Sequence, residues 1–208
     1  GGDGDDKLYG DNGNDVVKGG NGNDYIDGGN GNDTLYGGEN DDIIYGGNGN
    51  DEIYGGTGDD RLYGVSGTNN FYFADGDGND TVYSGKGYDI LNFTTAEFDD
   101  MKFIRSGNDL IIQYNNLGDT VTLANYVKNS KTSIKKIVDK NGAEHNIQPE
   151  ITVLFEGNKG SRNNIAGTYM KDSIIGGYYN DTINGGDGND TIMGGKGNDY
   201  ILGGNGND

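Results

Sequence analysis

The chain has 208 residues, of which 42 are glycine, one is proline and none is cysteine, and its net charge is −19. That composition excludes disulfide and thiol chemistry. It argues against nucleic acid as a partner, because phosphate repels an acidic surface, and no apolar run is long enough to span a membrane. With 31% apolar residues the chain has poor material for an ordinary globular core, and its length suits one or two small domains.

Gly1–Tyr63 is one nine-residue phrase said seven times, starting at Gly1, Gly10, Gly19, Gly28, Gly37, Gly46 and Gly55, with a weaker eighth repeat at Gly64. The template is G-G-x-G-x-D-x-apolar-x. Position six is Asp6, Asp15, Asp24, Asp33, Asp42, Asp51 and Asp60, then Asn69. Position eight is Leu8, Val17, Ile26, Leu35, Ile44, Ile53 and Leu62, then Phe71. The glycines allow a tight turn with positive φ. The last three residues of each repeat predict a very short strand whose central apolar residue points inward. Two repeats make one coil, with a strand on each face, so a repeat stacks on the next but one, 18 residues on. Asp6 then meets Asp24, Asp15 meets Asp33, Asp24 meets Asp42, Asp33 meets Asp51, and Asp42 meets Asp60.

Stacked carboxylates repel one another unless a cation lies between them, and the net negative charge opposes compaction in the same way. Calcium is a hard cation that takes about six to eight oxygens from carboxylates and carbonyls. A fixed period with a recurring carboxylate therefore predicts a calcium-binding parallel β-roll. Composition alone also permits a disordered Gly/Asn/Asp-rich tail; the periodicity argues against that once calcium is present. Position five (Asp5, Asn14, Asn23, Asn32, Asn50, Asp59) is expected to hold turn-forming groups. Two departures matter. Glu39-Asn40 makes the turn around Asp42 less ideal, and Asn69 should weaken or delete the site paired with Asp51.

Two extra residues, Phe73-Ala74, shift the frame, and the phrase returns at Asp75–Tyr83 with Asp80 and at Ser84–Asn92 with Asp89. These repeats are expected to continue the roll or to begin closing it. From Phe93 to Phe155 the period is lost. Short strands are predicted at Met101–Ile104, Leu110–Tyr114, Thr120–Leu123, Ile134–Val138 and Ile151–Phe155, with single helical turns in Thr94–Asp100 and Ala124–Lys131. Asn141-Gly142 is a hairpin signal. Phe93, Phe98, Phe103, Tyr114, Tyr126 and Phe155 supply a small core. His145 is the one histidine and has no cysteine or histidine partner for a transition metal, so it reads as exposed. Pro149 is expected to end the strand before it.

A ragged repeat at Asn158–Ala166, with Asn163 at position six, reopens the pattern. Asp172, Asp181, Asp190, Asp199 and Asp208 follow at the same position, stacking as Asp172 with Asp190, Asp181 with Asp199 and Asp190 with Asp208. The ragged start suits an atypical capping turn. The expected organisation is all-β: a first calcium-bound parallel β-roll over 1–92, a small non-repeat β segment over 93–157, and a second roll over 158–208. Two rolls are preferred, the middle segment capping the first and seeding the second; one continuous roll is the alternative. The chain starts and stops inside a repeat, without a signal-peptide pattern, and reads as an excerpt of a longer protein. Nothing assembles a nucleophile, a base and an orienting group, and carboxylate pairs that recur every coil do not look like a catalytic site. The chain is therefore read as no enzyme.

Gly1–Asn70 and Gly167–Asp208 resemble the haemolysin-type calcium-binding repeats of secreted bacterial RTX proteins. The resemblance implies that position-six Asp side chains and turn carbonyls bind calcium between successive turns. Here these are Asp6, Asp15, Asp24, Asp33, Asp42, Asp51, Asp60, Asp80, Asp89, Asp172, Asp181, Asp190, Asp199 and Asp208, with roughly eight to ten ions by counting stacked pairs. It also implies export as an unfolded chain by type I secretion machinery, and a secreted, extracellular or bacterial cell-surface location. Phe98–Phe103, Ser106–Ile112 and Asp119–Leu123 resemble the non-repeat β segment that flanks RTX arrays, a cap or spacer. Such regions are attached to toxins, proteases, lipases, epimerases and adhesins, and the sequence does not choose among these. Two roles stay open: a module for secretion, folding and spacing, or a binding module whose 93–155 segment recognises a host receptor or glycan. Binding by the isolated segment that survives without calcium would favour the second.

Overall fold

The computed structural model describes residues 1–83, 85–115, 117–126, 133–147 and 152–208. The chain divides into two compact units: Gly1–Lys102 with Asp109–His145, and Phe103–Asn108 with Asn146–Asp208.

In the first unit successive strands alternate between two sheets. One sheet runs Gly2–Asp3, Val16–Asn21, Thr34–Glu39, Glu52–Thr57, Asn70–Phe73, Asp89–Phe93 and Ile134–Val138. The other runs Lys7–Tyr9, Tyr25–Asp27, Ile43–Asn48, Arg61–Gly67, Asn79–Tyr83, Thr120–Ala124 and Asp109–Gln113. Pairing is parallel up to Thr120–Ala124, to which Asp109–Gln113 pairs antiparallel. Leu8 lies opposite Ile26, Val17 opposite Leu35 and Ile44 opposite Leu62, the expected 18-residue step. After Phe73-Ala74 the roll absorbs the insertion without losing register, and Leu62 faces Val82 while Phe71 faces Leu91.

The strands are longer than the three residues expected. Thr34–Glu39 and Ile43–Asn48 each span six residues and run on through Gly-Gly. The backbone continues its ladder there because no side chain separates adjacent coils: a Cβ on Gly38 would collide with the carbonyl of Gly20. The core is one column per sheet. Ile26, Leu35, Ile44, Ile53, Leu62, Phe71, Val82 and Leu91 are fully buried. Toward the end of the roll it widens into an aromatic cluster, with Phe73 to Phe93 at 5.4 Å and Phe93 to Tyr114 at 4.9 Å between ring centroids. Leu110, Ile112, Val121, Leu123, Ile134 and Ile137 cover it from the non-repeat segment. Each such buried side chain contributes about 1.5–3 kcal/mol, so the non-repeat end is denser in apolar stabilisation than the glycine-rich coils.

The non-repeat strands fall at Lys102–Ser106, Asp109–Gln113, Thr120–Ala124, Ile134–Val138 and Thr152–Glu156, close to expectation, and a 3-10 turn forms at Phe98–Asp100. They are shared between the compact units: Phe103–Ser106 and Thr152–Glu156 belong to the second. Most of the helical turn expected in Ala124–Lys131, and Pro149, lie outside the described residues.

In the second unit Phe103 pairs with Val153, and Thr152–Glu156 leads parallel into Lys171–Gly177 and Thr191–Gly195. Asn164–Ala166, Thr182–Asp187 and Tyr200–Asn205 form a separate three-stranded parallel sheet. Val153, Ile174 and Ile183 are buried, whereas Ile201 is 44% exposed.

Candidate metal centre

The position-six side chains form continuous ladders. Each after the first of its ladder accepts, through Oδ1, the backbone N–H of the residue one coil earlier. Asp6 N–H donates to Asp24 at 2.8 Å, Asp24 to Asp42 at 2.7 Å, Asp42 to Asp60 at 2.8 Å and Asp60 to Asp80 at 3.1 Å. The other ladder links Asp15 to Asp33 at 2.8 Å, Asp33 to Asp51 at 3.0 Å, Asp51 to Asn69 at 3.1 Å and Asn69 to Asp89 at 3.2 Å. The second unit repeats the device from Asp172 to Asp190 to Asp208 and from Asn163 to Asp181 to Asp199. Every stacking pair read from the sequence is therefore brought together, and Asp60 with Asp80 is added. Asp24, Asp33, Asp42, Asp51, Asp60, Asp80, Asp89, Asp172, Asp181 and Asp190 are buried; Asp6, Asp15 and Asp199 are half-buried, and Asp208 is exposed.

The second carboxylate oxygen decides the chemistry. Among the described residues, Oδ2 of Asp15, Asp24, Asp33, Asp42, Asp51, Asp60, Asp181 and Asp190 is buried with no hydrogen-bond donor. A buried charge without a partner is costly. The first glycine of each repeat keeps the space beside that oxygen clear. A Cβ on Gly28 would lie 2.6 Å from both Asp33 Oδ2 and the carbonyl of Gly46, and Gly19, Gly37, Gly176 and Gly185 stand in the same relation to their own Asp and the next coil's carbonyl. These are carboxylate and carbonyl oxygens with no nitrogen or sulfur among them, the donor set of a hard cation. No three His, Cys, Asp or Glu side chains converge as a ligand group among the described residues. Carboxylates come in stacked pairs, and further oxygens there belong to turn carbonyls.

Burial, the largest cause, pushes Asp42 up to about 7, Asp51 and Asp60 to about 6 and Asp80 to about 9, and stacked or adjacent carboxylates add to the rise. Asp33, Asp89 and Asp190 are raised by the same desolvation.

Two expected positions differ from the rest. Asp89 takes a hydrogen bond on Oδ2 from the Ser133 hydroxyl, and Asn69 Nδ2 donates to its Oδ1 at 2.9 Å. Asp172 accepts the Thr168 N–H on Oδ2 at 2.6 Å, and the Thr168 hydroxyl donates to the same carboxylate. Protein donors occupy these carboxylates. Thr168 stands where the template has its second glycine, a signal open to sequence reading; Ser133, 44 residues from Asp89, carries none.

The departures in the first array are accommodated. Asn40 adopts φ 79°, taking the left-handed conformation glycine has elsewhere, and Asp42 keeps its ladder bonds. Position five is more than turn-forming: Asn23 N–H donates to Asp5 Oδ1 at 2.9 Å and Asn32 N–H to Asn14 Oδ1 at 2.8 Å, a second ladder on the outer edge. The expectation that His145 is exposed is corrected. Its ring stacks on Phe98 at 3.8 Å, and Nε2 lies 3.3 Å from Asp139 Oδ2. The flat face of the ring is covered because the strand Glu144–Asn146 returns beside the Phe98–Asp100 turn.

The profile of the RTX calcium-binding nonapeptide repeat matches the chain in 4 copies, over residues 1–35, 36–71, 73–91 and 167–208, more than half its length. No curated protein matches the chain.

Proposed function

The chain belongs to the RTX calcium-binding nonapeptide repeat family, and from that premise we propose that it is a calcium-triggered folding module, unfolded in low calcium and coiled into its roll in high calcium. The observation that carries this reading is the set of buried Oδ2 atoms without donors. When bound, calcium supplies the positive charge that lets stacked carboxylates share one coil-to-coil gap. The chain's own groups do the rest. Oδ1 holds the preceding coil by its backbone N–H, Oδ2 and turn carbonyls face the gap, and the first glycines keep it open. Asp6, Asp15, Asp24, Asp33, Asp42, Asp51, Asp60, Asp80, Asp181, Asp190, Asp199 and Asp208 are the proposed ligands. Asp89 and Asp172 are weaker ones, because protein hydrogen bonds already occupy them. The proposed total is roughly eight to ten ions.

Export through a type I machinery as an extended chain, followed by folding outside the cell, fits a module whose free energy of folding comes from the ion. The family is one of structural repeats, and no catalytic role is proposed for this chain. Circular dichroism tests the reading. β signal should be low in chelator and rise with calcium at about millimolar levels, the range of extracellular modules. Magnesium, which demands a rigid octahedron and keeps its waters, should substitute poorly. Equal β content in chelator and calcium would overturn it.

A further inference from the structure

Position nine of each repeat points outward, on the opposite side of the strand from the buried position eight. In the first unit that position is often tyrosine, and the coil-to-coil register turns the tyrosines into two rows. On one face Tyr36, Tyr54 and Tyr72 stack at 4.7 and 4.3 Å between ring centroids, with planes 19° and 4° apart. On the other, Tyr45, Tyr63 and Tyr83 stack at 4.4 and 4.3 Å, with planes 10° and 6° apart. All six rings are half-buried, so one edge of each row reaches solvent. Lys18 and Asn92 follow at the two ends of the first row, and Asp27 and Ala124 at the ends of the second. Among the described residues the second unit shows no such row: its position nine holds Ile175, Asn184, Met193 and Leu202, and its Tyr178, Tyr179 and Tyr200 are exposed.

We propose that the two tyrosine rows are oxidative cross-linking sites, at which a one-electron oxidant couples neighbouring rings into dityrosine and ties successive coils together covalently. Each of two adjacent phenols gives one electron to the oxidant and its O–H proton to water, leaving a pair of phenoxyl radicals. The unpaired density lies partly on the ring carbons beside the oxygen. One carbon–carbon bond forms between two such carbons, and each ring then passes the displaced hydrogen to its oxygen and becomes a phenol again. The protein loses two hydrogen atoms in all. Rings that already lie near-parallel at close contact need little motion to couple, whereas isolated tyrosines must first meet. Burial raises Tyr63 to about 12 and raises Tyr54 and Tyr72, so these three start as neutral phenols. A link between Tyr54 and Tyr72 closes an 18-residue loop spanning one coil, which restricts the unfolded chain as any cross-link does.

The inference rests on ring geometry; only its switching by calcium rests on the proposed function. Dilute protein, in calcium and in chelator, is illuminated with ruthenium tris-bipyridyl and persulfate, which takes the two electrons and leaves as two sulfates. Dityrosine fluorescence, the intact mass of the monomer and peptide mapping are read, with circular dichroism on the same samples. Links Tyr36–Tyr54, Tyr54–Tyr72, Tyr45–Tyr63 and Tyr63–Tyr83 are expected within the monomer in calcium, several-fold fewer in chelator. Linked protein should keep its β signal when calcium is withdrawn. Tyr54→Phe should remove both links of its row and leave the opposite row reacting. Full β signal without row links, or links mapping mainly to Tyr178, Tyr179 and Tyr200 or between chains, would overturn the proposal. A β signal indifferent to calcium with row links present would instead count against calcium control of folding and support the rows.

Discussion

Asn69 Nδ2 donates to Asp89 Oδ1 at 2.9 Å, where the ladder of the first unit substitutes an amide for a carboxylate. Its Oδ1 still accepts the Asp51 N–H, so the ladder runs on unbroken while one negative charge is removed from a buried column. Asn69→Asp should therefore have opposite effects in the two conditions. In chelator the new carboxylate loses the donor to Asp89 and repels it, and residual β structure should fall. In calcium it restores a stacked pair, and the ion stoichiometry by titration calorimetry should rise by about one. An unchanged stoichiometry would show that this gap holds no ion with either residue.

Ser133 closes the same ladder from outside the repeats. Ser133→Ala leaves Asp89 Oδ2 buried without its donor. A cost of about 1–3 kcal/mol is expected, read from urea unfolding in saturating calcium. A wild-type midpoint would mean that water or an ion replaces the hydroxyl.

Asp33 is linked on both sides, its carboxylate accepting from Asp15 and its N–H donating to Asp51, whereas Asp6 is half-buried and stands first in its ladder, so that its N–H donates to Asp24 but its carboxylate has no earlier coil to accept from. Asp33→Ala should raise the calcium concentration for half-folding by several-fold, and Asp6→Ala should change it little. Equal calcium midpoints for the two variants would contradict the ladder as the unit of binding.

Gly28→Ala tests the gap directly. Its Cβ would fall 2.6 Å from both Asp33 Oδ2 and the Gly46 carbonyl, so the loss of at least one ion and a weaker calcium response are expected. Gly160, where an added Cβ would meet the Asn158 side chain at 3.2 Å, is the comparison, and Gly160→Ala should titrate as wild type. Two identical titrations would remove the steric argument.

The pH dependence has a defined sign. Without calcium, folded Asp42, Asp51, Asp60 and Asp80 hold protons up to about 7, 6, 6 and 9, against about 3.9 in an unfolded chain. The folded state binds more protons in that window, so this contribution is complete below about pH 4 and is lost as pH rises through the folded values. Chelated protein should gain β signal on acidification from about pH 8 to about pH 5. In calcium the trend reverses, because ligand oxygens must be deprotonated, and the calcium midpoint should rise as pH falls. A β signal in chelator that stays flat or drops on acidification would contradict the burial that raises these groups.

The amino-acid sequence by itself determined the roll, its two strands per coil, the 18-residue step and the pairing of the position-six Asp residues within each unbroken array, while the step across Phe73-Ala74 from Asp60 to Asp80 came from the structure. It could do so because every one of those contacts joins equivalent positions of neighbouring coils, so a period in the chain is a distance in space. Tyr36, Tyr54 and Tyr72 recur at one position of alternate repeats, but that their rings stack was seen only in the structure. Only the tertiary structure decided which carboxylates keep a free oxygen. Ser133 reaches Asp89 and Phe98 covers His145 through contacts that belong to no repeat. The length of the strands through Gly-Gly was decided there too, because a glycine reads as a turn until a neighbouring backbone lies close enough to continue its ladder. Periodic contacts repeat their own register along the chain; an aperiodic one, such as Ser133 on Asp89, exists only once the intervening segment has folded and brought the donor to the acceptor.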